Sequence, residues 1–197
     1  MKKTRIIVLD AMLIAMYTVL SLFDIKIGNF FKFSIATLPV IVGGLMLGPA
    51  HGFIIGFIGC FINQMMTYGW MATTMLYVIP YAFCGLTAGL LGALFRYDYT
   101  RTPLEWKMFG RQFSVDRSMI RVVLTSLATT TVLTLLNTVA LYIASHMEGW
   151  YSPKVVFGSL VSKFLKNIFL SVAYMILLPP ILREAAKFMK TSGKEEA

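Results

Sequence analysis

Between Ile35 and Met66 thirty-two residues pass without an Asp, Glu, Lys or Arg, and glycines recur four apart at Gly44, Gly48, Gly52 and Gly56. Such a run cannot form the surface of a soluble domain. A membrane-crossing helix takes about 20 apolar residues at about 1.5 Å each, so this run holds two short helices with Gly48-Pro49 at the turn between them. The apolar pattern of the whole chain predicts six spans, at about 5–23, 34–47, 50–66, 71–95, 119–146 and 153–187. The fourth is twenty-five uncharged residues long, with a kink expected at Pro80. Membrane-barrel strands would alternate with a period of two, and these runs do not. The expected fold is therefore an all-α integral membrane protein, a single membrane domain over 1–197 with a polar connection at 96–118.

Composition agrees, with hydrophobic residues at 57% and charged residues at 14%. The net charge of +9 would suit nucleic acid, but its distribution excludes that. The basic residues collect where apolar runs stop: Lys2, Lys3 and Arg5, the stretch from Arg96 to Arg121, and the tail from Arg183 to Lys194. With the N-terminus inside, thirteen Lys/Arg fall on the cytoplasmic side and five (Lys26, Lys32, Lys154, Lys163, Lys166) on the other. Both termini are thus expected in the cytoplasm. The first apolar stretch follows basic residues as in a secretory signal, but it is longer than a typical h-region and lacks an A-x-A site, so it reads as a retained helix. Cys60 and Cys84 lie inside apolar runs and read as small packing residues.

Small residues mark the helix seams: Ala11 and Ala15 on the first span, the glycine ladder, and Gly85, Gly89 and Ala93 on the fourth. The ladders on the third and fourth spans suit packing within the chain; Ala11 and Ala15 equally suit another subunit.

Polar and aromatic groups converge on the outer ends of the spans. Asn63 and Gln64 close the third, Tyr68 and Trp70 follow, Thr73, Thr74 and Tyr77 open the fourth, and Asn137 and Tyr142 lie toward the end of the fifth. On the last span Lys163, Lys166, Asn167 and Tyr174 share about 100° of a helical wheel. Plainer readings exist for each. Tyr68, Trp70, Trp150 and Tyr151 suit an aromatic belt, and Lys163 suits snorkelling to the interface. Lys166 suits it less, because ionisable groups inside a span usually face a polar cavity. Asn63 and Gln64 either end a helix or read the edge of a heterocycle. Asp10 reads as a helix-start residue, His51 and His146 as turn and interface residues, and the Thr/Ser cluster of the fifth span as hydroxyls bonded to their own helix. No carboxylate pair, metal-ligand spacing, Walker loop or His-activated Ser159 is present, so catalytic and metal sites are not expected, nor is a cofactor. A proton-coupled carrier would need an acidic or histidine relay that is missing.

The Ala11-x-x-x-Ala15 helix and the run from Phe33 to Val40 through Gly48-Pro49 resemble the substrate-binding S component of energy-coupling factor (ECF) vitamin transporters. Lys163-Phe164-Leu165-Lys166-Asn167 is similar to the pattern of the folate-type branch. The resemblance implies capture of a vitamin from outside, with docking through Ala11 and Ala15 on a transmembrane coupling subunit driven by two ATPase subunits. It implies substrate contacts at Asn63, Gln64, Tyr68, Trp70, Tyr77, Asn137, Lys163, Lys166 and Asn167, with the two lysines on a carboxylate, Asn63, Gln64 and Asn167 on a ring edge, and Trp70 and Tyr77 on its face. The protein would sit in a bacterial plasma membrane. Folate is the first candidate, pantothenate another, and a non-transporting membrane assembly subunit or a self-sufficient small carrier are the competing functions.

Overall fold

Long apolar runs become helices because every backbone group must be bonded within its own segment once water is absent. The computed structural model describes residues 3–23, 25–27, 31–95, 105–108, 111–114, 117–157 and 160–194. Its helices are α1 (Lys3–Leu22), α2 (Thr37–Leu47), α3 (Pro49–Tyr68), α4 (Thr74–Phe95), α5 (Arg117–Met147), α6 (Pro153–Val156) and α7 (Leu160–Lys194). Five of them carry segments long and apolar enough to cross a membrane: Thr4–Leu22, Pro49–Tyr68, Thr74–Phe95, Arg121–Met147 and Lys163–Leu182.

α2 differs from the rest. It has 11 residues, a rise of about 16 Å against a hydrocarbon core of about 30 Å. Residues 37–45 are all buried, as expected of a helix that is apolar all round. It lies at the centre of the bundle, against α1, α3, α4 and α7. Its Leu38, Ile41 and Leu45 join Ala88, Tyr174 and Leu178 in one core cluster, while Val40 joins Tyr17, Ile55 and Val78 in a second.

The turn falls where the sequence placed it. Gly48 has φ 100°, open to glycine and strained for other residues, and Pro49 starts α3 with the preset φ that suits a first helical position. The glycine ladders pack within the chain. A Cβ on Gly52 would sit 2.4 Å from the Gly85 carbonyl oxygen, and one on Gly85 1.9 Å from the Gly52 oxygen, so α3 and α4 meet backbone to backbone.

Two small antiparallel ladders lie outside the spans and modify the all-helical expectation. β1 (Ile25–Ile27) pairs with β2 (Phe31–Phe33), and β3 (Glu105–Met108) with β4 (Arg111–Ser114). Hydropathy averaged over a span length does not see them; Ile-Lys-Ile and Phe-Lys-Phe carry a period of two over only three residues each. Asp24, Asn29 and most of the remainder of the 96–118 connection lie outside the described residues. The expected helix from 153 to 187 is two elements, α6 and α7, and Ser159 between them is also outside the described residues.

α1 is the most outward of the helices. It touches α2 and α3, while Val8, Met12, Met16 and Val19 are exposed, and so are Ala11 and Ala15 beside them. Near the α2–α3 turn, His51 Nδ1 lies 2.7 Å from Asp10 Oδ2. A helix-start residue and a turn residue, read separately in the sequence, are one pair joining α1 to α3.

Candidate functional site

Chain direction brings the ends of α1, α3 and α5 and the starts of α2, α4 and α7 to one end of the bundle, remote from Lys3 and from Gly48. Among the described residues two chambers open there. The outer one, of about 490 Å³, takes Gln64 and Tyr68 from α3, Thr74, Tyr77 and Tyr81 from α4 and Asn137 from α5, with Thr73, Glu148 and Lys163 around them. The inner one, of about 150 Å³, is lined by Ser34 and Thr37 at the start of α2, Thr130 and Thr134 on α5, and Lys166 and Asn167 on α7. Tyr81, Asn137 and Lys163 line both, so the chambers adjoin.

The inner chamber is the deeper. Thr37, Thr130, Thr134 and Asn167 are buried, whereas Tyr68 and Met71 at the outer one are exposed. Its walls are held by hydrogen bonds between helices. Asn167 donates Nδ2–H to the Thr130 carbonyl at 3.1 Å and to Thr134 Oγ1 at 2.7 Å, tying α7 to α5. Both amide hydrogens are thereby used, and the Asn167 carbonyl oxygen is what remains for a guest. Thr37 and the buried Tyr174 share a short hydroxyl–hydroxyl bond that ties α2 to α7. Thr130 bonds back to the Ser126 carbonyl at 2.7 Å, as expected of a helix hydroxyl, and the same holds for Thr129 and Thr138.

At the mouth, Thr73 donates to Glu148 Oε1 at 3.0 Å and the Trp150 indole N–H donates to Glu148 Oε2 at 2.7 Å. These bonds join the loop after α5 to the start of α4.

Of the residues expected at a site from sequence, Gln64, Tyr68, Tyr77, Asn137 and Lys163 line the outer chamber, and Lys163 with Asn137, Lys166 and Asn167 the inner one. Asn63 and Trp70 line neither. One residue along a helix is a turn of 100°, so Asn63 points into the bundle where Gln64 meets the chamber. There Asn63 Oδ1 accepts from Thr67 Oγ1 at 3.3 Å. Trp70 is 72% exposed and meets Phe61 edge-on, on the outside of α3. Tyr142 likewise packs outside, with His146 and Tyr151. Thr37, Tyr81 and Glu148 were not singled out as site residues in the sequence, and Thr130 and Thr134 were read there only as hydroxyls bonded to their own helix. For Thr134 a signal existed: it stands three residues before Asn137, on the same helical face.

No curated protein matches the chain. The family model described as ECF transporter, substrate-specific component, matches residues 5–182, nearly the whole length. A bundle of apolar helices with a polar double chamber at one end accords with that description, and the chain belongs to this family of ECF transporter substrate-specific components.

Proposed function

We propose that the chain captures a small, anionic, water-soluble vitamin, folate being the first candidate and pantothenate another, and delivers it by docking on the coupling subunit of an ECF module. Membership of the family makes it a membrane-embedded transporter subunit and not an enzyme. The finer reading is a six-helix bundle in a bacterial plasma membrane, both termini cytoplasmic and the chambers opening outward, with two partner ATPases supplying the energy.

The observation that carries this reading is the sorting of chemistry between the chambers. Lys163 and Lys166 stand with hydroxyls and an amide oxygen in the deep part, and α2 begins there, directing the positive end of its dipole toward the same space. A carboxylate dehydrated in that setting interacts with the ammonium groups far more strongly than in water. Tyr68, Tyr77 and Tyr81 supply ring faces farther out, and Gln64 and Asn137 supply amides. Ala11 and Ala15 on the exposed face of α1 leave room for close approach of another helix, which supports their role as the docking contact.

The test is mass spectrometry of the small molecules that co-purify with the detergent-solubilised protein, followed by calorimetry with folic acid and with pantothenate. A bound acid of vitamin size supports the reading. If nothing co-purifies and neither acid binds, the chain is an assembly subunit instead. Uptake into liposomes by the chain alone, without ATPases, would make it a self-sufficient carrier.

A further inference from the structure

Among the described residues lining the two chambers, Glu148 is the only carboxylate, and it stands at the end away from Lys166. It is exposed at the mouth and holds two hydrogen bonds. Oε1 accepts from Thr73, whose side chain is buried, and Oε2 accepts from the Trp150 indole. A carboxylate offers about four acceptor positions; two are engaged, one on each oxygen, so each oxygen keeps another. A carboxylate that keeps an acceptor position on each oxygen can take one N–H on each, which a planar partner with two adjacent N–H donors supplies.

We propose that Glu148 is a specificity-determining contact that selects a substrate carrying two adjacent N–H donors on its ring, in addition to the acid group. The inference rests on the receptor reading above and adds an orientation to it. The acid end of the substrate enters first and reaches Lys163 and Lys166, and the donor-bearing ring remains in the outer chamber between tyrosine faces with its N–H edge on Glu148. An acid that lacks the N–H pair meets the lysines but leaves the mouth carboxylate with no partner from the substrate. The Thr73 and Trp150 bonds hold that carboxylate in place before the substrate arrives, so little ordering is required at binding.

Calorimetry on the purified full chain tests this with folic acid, which has an acid group and an N–H pair on its ring, and pantothenate, which has the acid alone. Folic acid is expected to bind the more tightly. Glu148→Gln, which turns one acceptor into a donor, is expected to weaken folic acid by about tenfold or more and to leave pantothenate unchanged. Glu148→Asp, which withdraws the carboxylate by one methylene, is expected to fall between, and it serves should the glutamine variant not fold. Thr73→Val keeps the charge and is expected to weaken folic acid less than Glu148→Gln.

An unchanged folic acid affinity in Glu148→Gln overturns the assignment. If Lys166→Ala still weakens binding in that case, the receptor reading stands without it. Preference of the wild-type protein for pantothenate, or a co-purifying acid without paired N–H donors, likewise overturns the role of Glu148 alone. Absence of any bound acid overturns both.

Discussion

Asn167 on α7 donates to Thr134 Oγ1 on α5 at 2.7 Å, across 33 residues of sequence and inside the deeper chamber. The bond fixes the spacing of the two helices that carry most of that chamber's polar groups. Thr134→Val should cost about 1 kcal/mol, the scale of one interhelical side-chain bond in a membrane. Asn167→Leu should cost more, about 1–3 kcal/mol, because it leaves both the Thr130 carbonyl and the Thr134 hydroxyl without the donor. Thermal unfolding in detergent reads both, and equal effects would show that the carbonyl bond contributes nothing.

Lys166 and Lys163 make separable predictions. Each lysine changed to alanine should reduce affinity for an anionic ligand by about tenfold or more, while membrane insertion is retained. Because Lys163 borders both chambers and Lys166 only the inner one, Lys166→Ala should act on the acid group alone. A neutral amide analogue of the ligand should therefore bind wild type and Lys166→Ala equally. If affinity for the acid is unchanged, Lys166 is outside the site.

The α3–α4 seam sets a steric test. Gly85→Ala places a methyl 1.9 Å from the Gly52 carbonyl oxygen, so the helices must part, at about 1–3 kcal/mol or more. Gly48→Ala meets nothing within 4 Å and should cost only the strain of a backbone at φ 100° and ψ 176°, a region nearly restricted to glycine, about 1–3 kcal/mol. The larger loss of melting temperature should belong to Gly85→Ala. The reverse order would mean that the turn, and not the seam, limits stability.

Ala15 faces away from the bundle on α1. Ala15→Trp should leave ligand affinity of the isolated chain unchanged and should abolish uptake in cells that supply the coupling and ATPase subunits. Survival of uptake would remove this face of α1 from the docking surface.

Much of this was legible in the sequence because lipid enforces a simple code. Apolar runs became helices, Gly48-Pro49 became the turn, and helical arithmetic put Lys166 and Asn167 together on one face with Lys163. Contacts between distant segments had no such code. Asp10 and His51 are 41 residues apart, and nothing local links them. Glu148 was not singled out in the sequence, and the Thr73 that fixes one of its oxygens comes from 75 residues away. Asn63 and Gln64 are adjacent amides, yet a helix separates neighbours by a wide angle and only Gln64 reaches the outer chamber. The ladders at 25–33 and 105–114 escaped because a few alternating residues vanish in a window sized for a bilayer.

α2 stops at Thr37, well short of the thickness its neighbours traverse, and the hollow begins where its backbone ends. A sixth helix of full length would have filled that column with side chains. The floor of the receptor is thus the blunt tip of a truncated helix, and the number of turns in α2 governs how far a guest can descend. Coiling residues 34–36 into one more turn would take Ser34 out of the wall it now forms and push helix side chains into the deep compartment, leaving less depth for a guest.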